Sequence, residues 1–266
     1  MARKNLAVPF ITCNEMLDYN KGKDLELWEL AVAYESMRGN ISEEVVFEKM
    51  RAILKLMQNA IDLGLQGTKY ADRILGPQSL TFQERMDGKK LVAGDVLNQV
   101  ILYTSAMMEV KSAMGVIVAA PTAGSCGALP GALIGIGRTL ELSEDEMIKA
   151  LLAAGIIGVF IAAHATFAAE VGGCMAECGS GSGMAAAGIV VLKKGTLNQS
   201  LSAASMALQS CLGMICDMIA DRVEAPCLNR NVMAATNAIS CANMALSDYD
   251  HLIPLDEVVE TMKRVG

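Results

Sequence analysis

The sequence predicts an all-α fold in a single domain, and three observations predict it. Apolar residues recur at helical spacing along most of the chain. No segment sustains the alternation of a half-buried strand. Composition favours helices packed at close range: 53% of residues are hydrophobic but only 4% aromatic, with 24 Gly and 18 Met. Small side chains let helices approach, and Met, unbranched and polarizable, fills irregular gaps. At 266 residues the chain buries a sizeable core without cross-links.

Taken in order, residues 1–22 read as irregular and polar, with Pro9, Asn14 and Gly22. A first helix is expected over 24–37, ending near Gly39 and Asn40. A second runs from Ser42 to about 63, with Val46, Met50, Ile53, Leu54, Met57, Ala60 and Ile61 at helical spacing, until Gly64 and Gly67 stop it. Residues 64–88 read as a loop with one short helix, and 94–114 as helix again. Residues 116–120 are expected to form a buried extended segment, because no second strand exists to pair with them. A helix follows over 128–139. Ser143 with Glu146 forms a capping box opening an apolar helix to 163. Residues 179–183 read as a Gly/Ser loop and 184–192 as a small-residue helix, which Lys193-Lys194-Gly195 closes with cations near the last carbonyls. Helix is expected over 201–214, loop over 217–229, helix over 231–246, and a last turn or short helix over 254–266. There is neither an internal repeat nor a low-complexity linker.

The net charge of −7, without a Lys/Arg block, argues against nucleic acid or an anionic membrane as partner. Polar residues interrupt the stretch where a secretory signal would place its apolar region. The most apolar run, 150–163, is 14 residues, which suits a buried core helix rather than a span of about 20. Eight cysteines in such a chain imply a reducing, cytoplasmic setting, where they are buried, metal-bound or catalytic more often than disulfide-paired.

Four features carry chemistry. Cys174, Cys216 and Cys227 each meet Gly, Pro or polar loop sequence, whereas Cys13, Cys178, Cys211 and Cys241 read as packing residues. Soft thiolates in loops suit an iron–sulfur cluster, zinc or copper; without a CxxC pair the usual structural zinc signature is missing. The residues alone leave that choice open. The loop 120–127, small residues before a helix, offers backbone N–H groups as a cradle for a carboxylate. The Gly/Ser segment 179–183 reads the same way. His164, one of two histidines, adjoins the apolar run; it is either a satisfied core histidine or a general acid or base.

Three motifs, AAPTAGSCGALPG (119–131), GGCMAECGSGSGMAAAG (172–188) and CDMIADRVEAPCLNRN (216–231), resemble those of the iron–sulfur-dependent L-serine dehydratases, specifically the α subunit. The resemblance covers roughly residues 90–245, so 89–250 reads as the core of one 266-residue domain and 1–88 as a less well matched helical region. It implies a [4Fe-4S] cluster held by Cys174, Cys216 and Cys227, with Cys126 outside the ligand set. It implies an all-α enzyme, a carbon–oxygen lyase of amino-acid degradation, that turns L-serine into pyruvate and ammonia without pyridoxal phosphate. A separate β subunit and an oligomer are expected. Three ligands leave one iron open, a Lewis acid for the β-hydroxyl. Thr122, Gly124, Ser125, Ser180, Ser182 and Asn229 are the expected substrate contacts. His164 and Lys111 are candidates for the base, with Asp217 or Glu177 behind them. The family's commoner CDPVAGLVEVPC is here CDMIADRVEAPC, which puts Met218, Asp221 and Arg222 in the ligand loop, and Lys111 enters at the approach to the pocket. These departures bear on substrate identity, so threonine or another β-hydroxy amino acid stays open. So do a pyridoxal-phosphate dehydratase, a three-cysteine zinc hydrolase and a non-catalytic helical partner subunit, each disfavoured by the helical pattern or by the loop setting of the cysteines.

Overall fold

Side-chain caps set five of the helix starts in the computed structural model, which describes residues 8–266. Thr12 opens α1 (Cys13–Asn20), accepting from the Glu15 N–H at 3.0 Å. A Glu26/Glu29 box opens α2 (Leu27–Gly39), which ends on Asn40 in the left-handed region. Ser42 opens α3 (Glu43–Leu65), and α4 (Gln78–Asp87) and α5 (Asp95–Ser112) follow. After α6 (Ala128–Thr139), the Ser143/Glu146 box opens α7 (Glu144–His164) as the sequence requires. A short α8 (Ala169–Cys174) passes through a π-turn (Met175–Gly179) into α9 (Ser180–Leu192). A Thr196/Gln199 box opens α10 (Leu197–Gln209), and α11 (Cys227–Leu246) and α12 (Leu255–Val265) complete the chain. Among the described residues there is no strand, only an isolated bridge between Ile219 and Arg222.

Helix α9 is the axis of the molecule. It is buried from Ser180 through Val190, and α6, α7, α10 and α11 all pack on it. Glycine makes the closest approach possible: a Cβ on Gly188 would stand 2.9 Å from the Ala150 carbonyl of α7. A second group, α3, α5 and α6, flanks this core, and α5 also packs on α11. The segments Glu144–His164 and Ala169–Leu192 are long and apolar enough to cross a membrane, but 67% and 89% of their apolar windows are buried within the protein, as core helices are.

The all-α expectation holds, with five local differences. Residues 13–20 are helical rather than irregular, because Asp256 of α12 accepts from the Cys13 and Asn14 N–H groups at 2.9 and 3.0 Å and satisfies the start of α1; residues 1–7 lie outside the described residues. Residues 179–183 are not a loop but the π-turn's end and the start of α9. Their glycines, read as breakers, are contact points for neighbouring helices. Residues 116–120 carry no regular structure and are mostly not buried: Val116 is 72% exposed, and only Ala120 is in the core. Helix α10 spans Leu197–Gln209 rather than 201–214, because the Thr196/Gln199 box opens it early, and α11 starts at Cys227, four residues before the expected start.

Candidate functional site

Three chain segments supply the cysteines. Cys174 ends α8, directly after Gly173, whose φ of +64° admits glycine at little cost and whose missing side chain lets the Met214–Ile215 backbone pass. Cys216 lies exposed on the segment between α10 and α11. Cys227 begins α11 behind Pro226 and is 6% exposed, against 3% for Cys174. The thiol of Cys178, one turn beyond Cys174, hydrogen-bonds to it and pulls Cys174 down to about 6, against the effect of burial and with help from Arg230. Cys178 is correspondingly driven up, by that bond and by burial. Burial and the nearby Cys174 raise Cys227 to about 11, and the same two causes raise Cys216. Among the described residues no three His, Cys, Asp or Glu side chains are drawn in tightly enough for a single metal ion.

Beside the thiols sits a polar centre built on the π-turn. Glu177 accepts from Thr122 Oγ1 at 2.6 Å, and Thr122 Oγ1 in turn lies 3.0 Å from Ser125 Oγ. Burial raises the Glu177 carboxyl, and the Thr122 hydroxyl partly offsets that. Gly124 is pressed against this carboxylate: a Cβ there would stand 2.8 Å from both oxygens. Lys111, on α5, donates to the Val223 carbonyl of the ligand loop. Burial lowers its pKa, while the neighbouring Cys126, Cys227, Glu224 and Glu177 act to raise it.

The 120–127 loop is not an open cradle throughout. The Gly127 and Ala128 N–H groups at the start of α6 both donate to Asn231 Oδ1 at 3.1 Å. Asn231 also donates to the carbonyls of Gly124 and Cys227, each at 2.9 Å. Asn229 is exposed, whereas Asn231, fully buried, ties the two motif loops together. Of the α9 serines, Ser182 donates to the Ala234 carbonyl at 2.7 Å and accepts from Asn237 at 2.9 Å, which spends it on packing. Ser180 is buried with its hydroxyl unpaired. The cradle expected at 179–183 is corrected: its backbone is helical and continuous with the π-turn. His164, at the end of α7, pairs with the Ile11 carbonyl at 2.9 Å rather than with any of these side chains.

The ligand loop is braced from the 70–75 segment. Glu224, 4% exposed, accepts from Tyr70 OH and Leu75 N at 2.8 Å and Ile74 N at 3.1 Å. Burial opposes its ionisation, but those bonds win and hold the carboxyl below its usual range. Arg222, the departure in this loop, is spent on Asp72, donating to its carbonyl at 2.8 Å. The brace is itself anchored to α5 by a pair between half-buried Arg73 and buried Glu109 at 3.1 Å. A search for thiols and hydroxyls overlooks Glu224, Arg230 and Asn231. The signal was present: all three lie inside the 216–231 motif, and a helix starting at Cys227 puts Asn231 on its face at i+4.

These motifs find matches well beyond themselves. The family model for the serine dehydratase alpha chain matches residues 22–266. The chain is 36% identical over 257 residues to the "Probable L-serine dehydratase, alpha chain" of Bacillus subtilis (strain 168), covering 97% of this chain and 86% of that one. It is 35% identical to the L-serine dehydratase alpha chain of Peptoniphilus asaccharolyticus, covering 96% and 88%. Against L-serine dehydratase 1 of Escherichia coli (strain K12) it is 31% identical, covering 97% of this chain but 58% of that longer relative. A helical scaffold that gathers these motifs at one site, matched from its second helix to its last residue, belongs to the serine dehydratase alpha chain family.

Proposed function

We propose that this chain is the catalytic α chain of an iron–sulfur-dependent L-serine dehydratase, a lyase converting L-serine to pyruvate and ammonia. The observation that carries the reading is the meeting of an all-sulfur donor set with a carboxylate whose basicity burial raises. The donors are three thiols near enough together for Cys174 to oppose ionisation of both Cys216 and Cys227. The softness of thiolates suits a [4Fe-4S] cluster, which Cys174, Cys216 and Cys227 would hold with one iron left free of protein ligand. Bound there, it supplies Lewis acidity toward the substrate β-hydroxyl, with no net redox change.

The chain's own groups do the rest. Glu177 takes the Cα proton, as a carboxylate that binds protons more tightly than an exposed one. Thr122 aims it and Gly124 leaves room for it. Lys111, the cation facing Glu177 and Cys227, is the partner we assign to the substrate carboxylate. Loss of that proton and of the hydroxyl as water gives 2-aminoacrylate, which tautomerises to the imine and hydrolyses to pyruvate and ammonia. The relatives named alpha chains, and a longer relative of which this chain spans 58%, support a separate second (β) chain as partner. Buried reduced cysteines support a reducing, cytoplasmic setting.

Anaerobic purification with iron and sulfide counted, and pyruvate release from L-serine followed, tests this. About four irons and four sulfides per chain are expected. Cys216→Ser should lose them and Cys211→Ser should keep them. A chain that takes up no iron on anaerobic reconstitution, or a Cys211→Ser variant that behaves like Cys216→Ser, would sink the reading.

A further inference from the structure

We infer that Arg230 is the positioning residue of this site: its guanidinium pins the segment carrying Cys216 against Cys174 and so assembles the three-thiol set. This deepens the reading above and rests on it. One nitrogen, Nη1, donates to Cys174 Sγ at 3.0 Å, to the Ile215 carbonyl at 2.6 Å, and pairs with Asp217 Oδ1 at 2.6 Å. Those acceptors flank Cys216 on both sides and include a second cysteine of the set. The Arg230 side chain is 19% exposed and its contact with Cys174 is partly buried, while Asp217 is open to solvent.

The two halves of the ligand loop are held differently. Residues 222–224 are fastened by Glu224 to Tyr70, Ile74 and Leu75, by Arg222 to Asp72, and by Lys111 to the Val223 carbonyl. Residues 215–217 have no such brace: among the described residues, Arg230 is the side chain that holds them. Cys216 is the exposed cysteine of the three, so its place depends on what grips its neighbours. Arg230 is well sited to do so. It stands on the first turn of α11, one residue before Asn231, which locks that turn to α6 through Gly127 and Ala128. The planar guanidinium holds Nη1 rigidly in place, whereas a lysine ammonium rides on a flexible stem. A donor to a ligand sulfur also sets the reduction potential of a bound cluster and its retention.

The test compares Arg230→Gln and Arg230→Lys with Arg222→Gln, which removes a cation of the preceding loop aimed at Asp72. In metal-free protein, hydrogen exchange at residues 215–218 should speed up in both Arg230 variants, more in the glutamine, and stay unchanged in Arg222→Gln. After anaerobic reconstitution, Arg230→Gln should lose iron to a chelator ~10–100-fold faster than wild type. Its midpoint potential should move to more negative values, with Arg230→Lys between the two. Unchanged exchange at 215–218 overturns the inference whether or not iron binds, as do wild-type chelation rate and potential in Arg230→Gln. Wild-type protein that never binds iron overturns the cluster reading instead, and the exchange experiment still decides the role of Arg230.

Discussion

Thr122 and Glu177, 55 residues apart in sequence, meet at 2.6 Å with the hydroxyl donating to the carboxylate. The bond joins the loop before α6 to the π-turn before α9 and opposes the effect of burial on Glu177. π-Turns recur at functional sites because they rotate one side chain out of helical register, and Glu177 is the side chain so placed. Thr122→Val removes the donor and raises the carboxyl further. As the proposed base, Glu177 must be ionised, so activity should be lost as pH falls through its pKa. The acid limb of the kcat/KM profile should therefore move to higher pH, with roughly tenfold lower kcat/KM near that limb, about 1.4 kcal/mol. An acid limb that stays in place would remove Glu177 from the role of base.

Gly124→Ala should separate catalysis from folding. The added Cβ meets both Glu177 oxygens at 2.8 Å, and the carboxylate is the part able to move. Displacing a reacting group by about 1 Å costs on the order of 100-fold in rate. A loss of that size in kcat, with a thermal unfolding midpoint close to wild type, is the expected outcome. Near-normal kcat would mean that the carboxylate has slack the geometry does not suggest.

Glu224→Gln tests the brace on the ligand loop. The buried carboxylate accepts three hydrogen bonds, so its loss should cost about 2 kcal/mol in denaturant unfolding at pH 7. The folded-state pKa lies below the unfolded one. Its stabilisation is therefore full above the unfolded value of about 4.3 and fades as pH falls through the folded one. The gap between wild type and variant should shrink below pH 4; a gap independent of pH contradicts the assignment.

Arg222→Leu, which restores the residue common in the related motif, should leave stability within about 0.5 kcal/mol and the serine rate unchanged. The guanidinium is spent on Asp72, an exposed partner. A changed ratio of serine to threonine turnover in this variant would return the ligand-loop departures to the question of substrate choice.

Much of this was legible in the chain itself. Helical periodicity, the Ser143/Glu146 box and the three motifs depend on residues a few positions apart, and local hydrogen bonding and burial of one face decide them. They determined the all-α class, most helix bounds and the family. The same local reasoning misread 179–183, because glycine breaks an exposed helix but permits close contact in a buried one, and α9 is enclosed by four neighbours. Only the tertiary structure could choose Asn231 over Asn229, set His164 against Ile11, bring Thr122 to Glu177, and aim Arg230 at Cys174 and the Cys216 segment. Each is a pairing between distant segments, and the packing of α5, α6 and α11 around α9 determines which side chains come within 3 Å of one another.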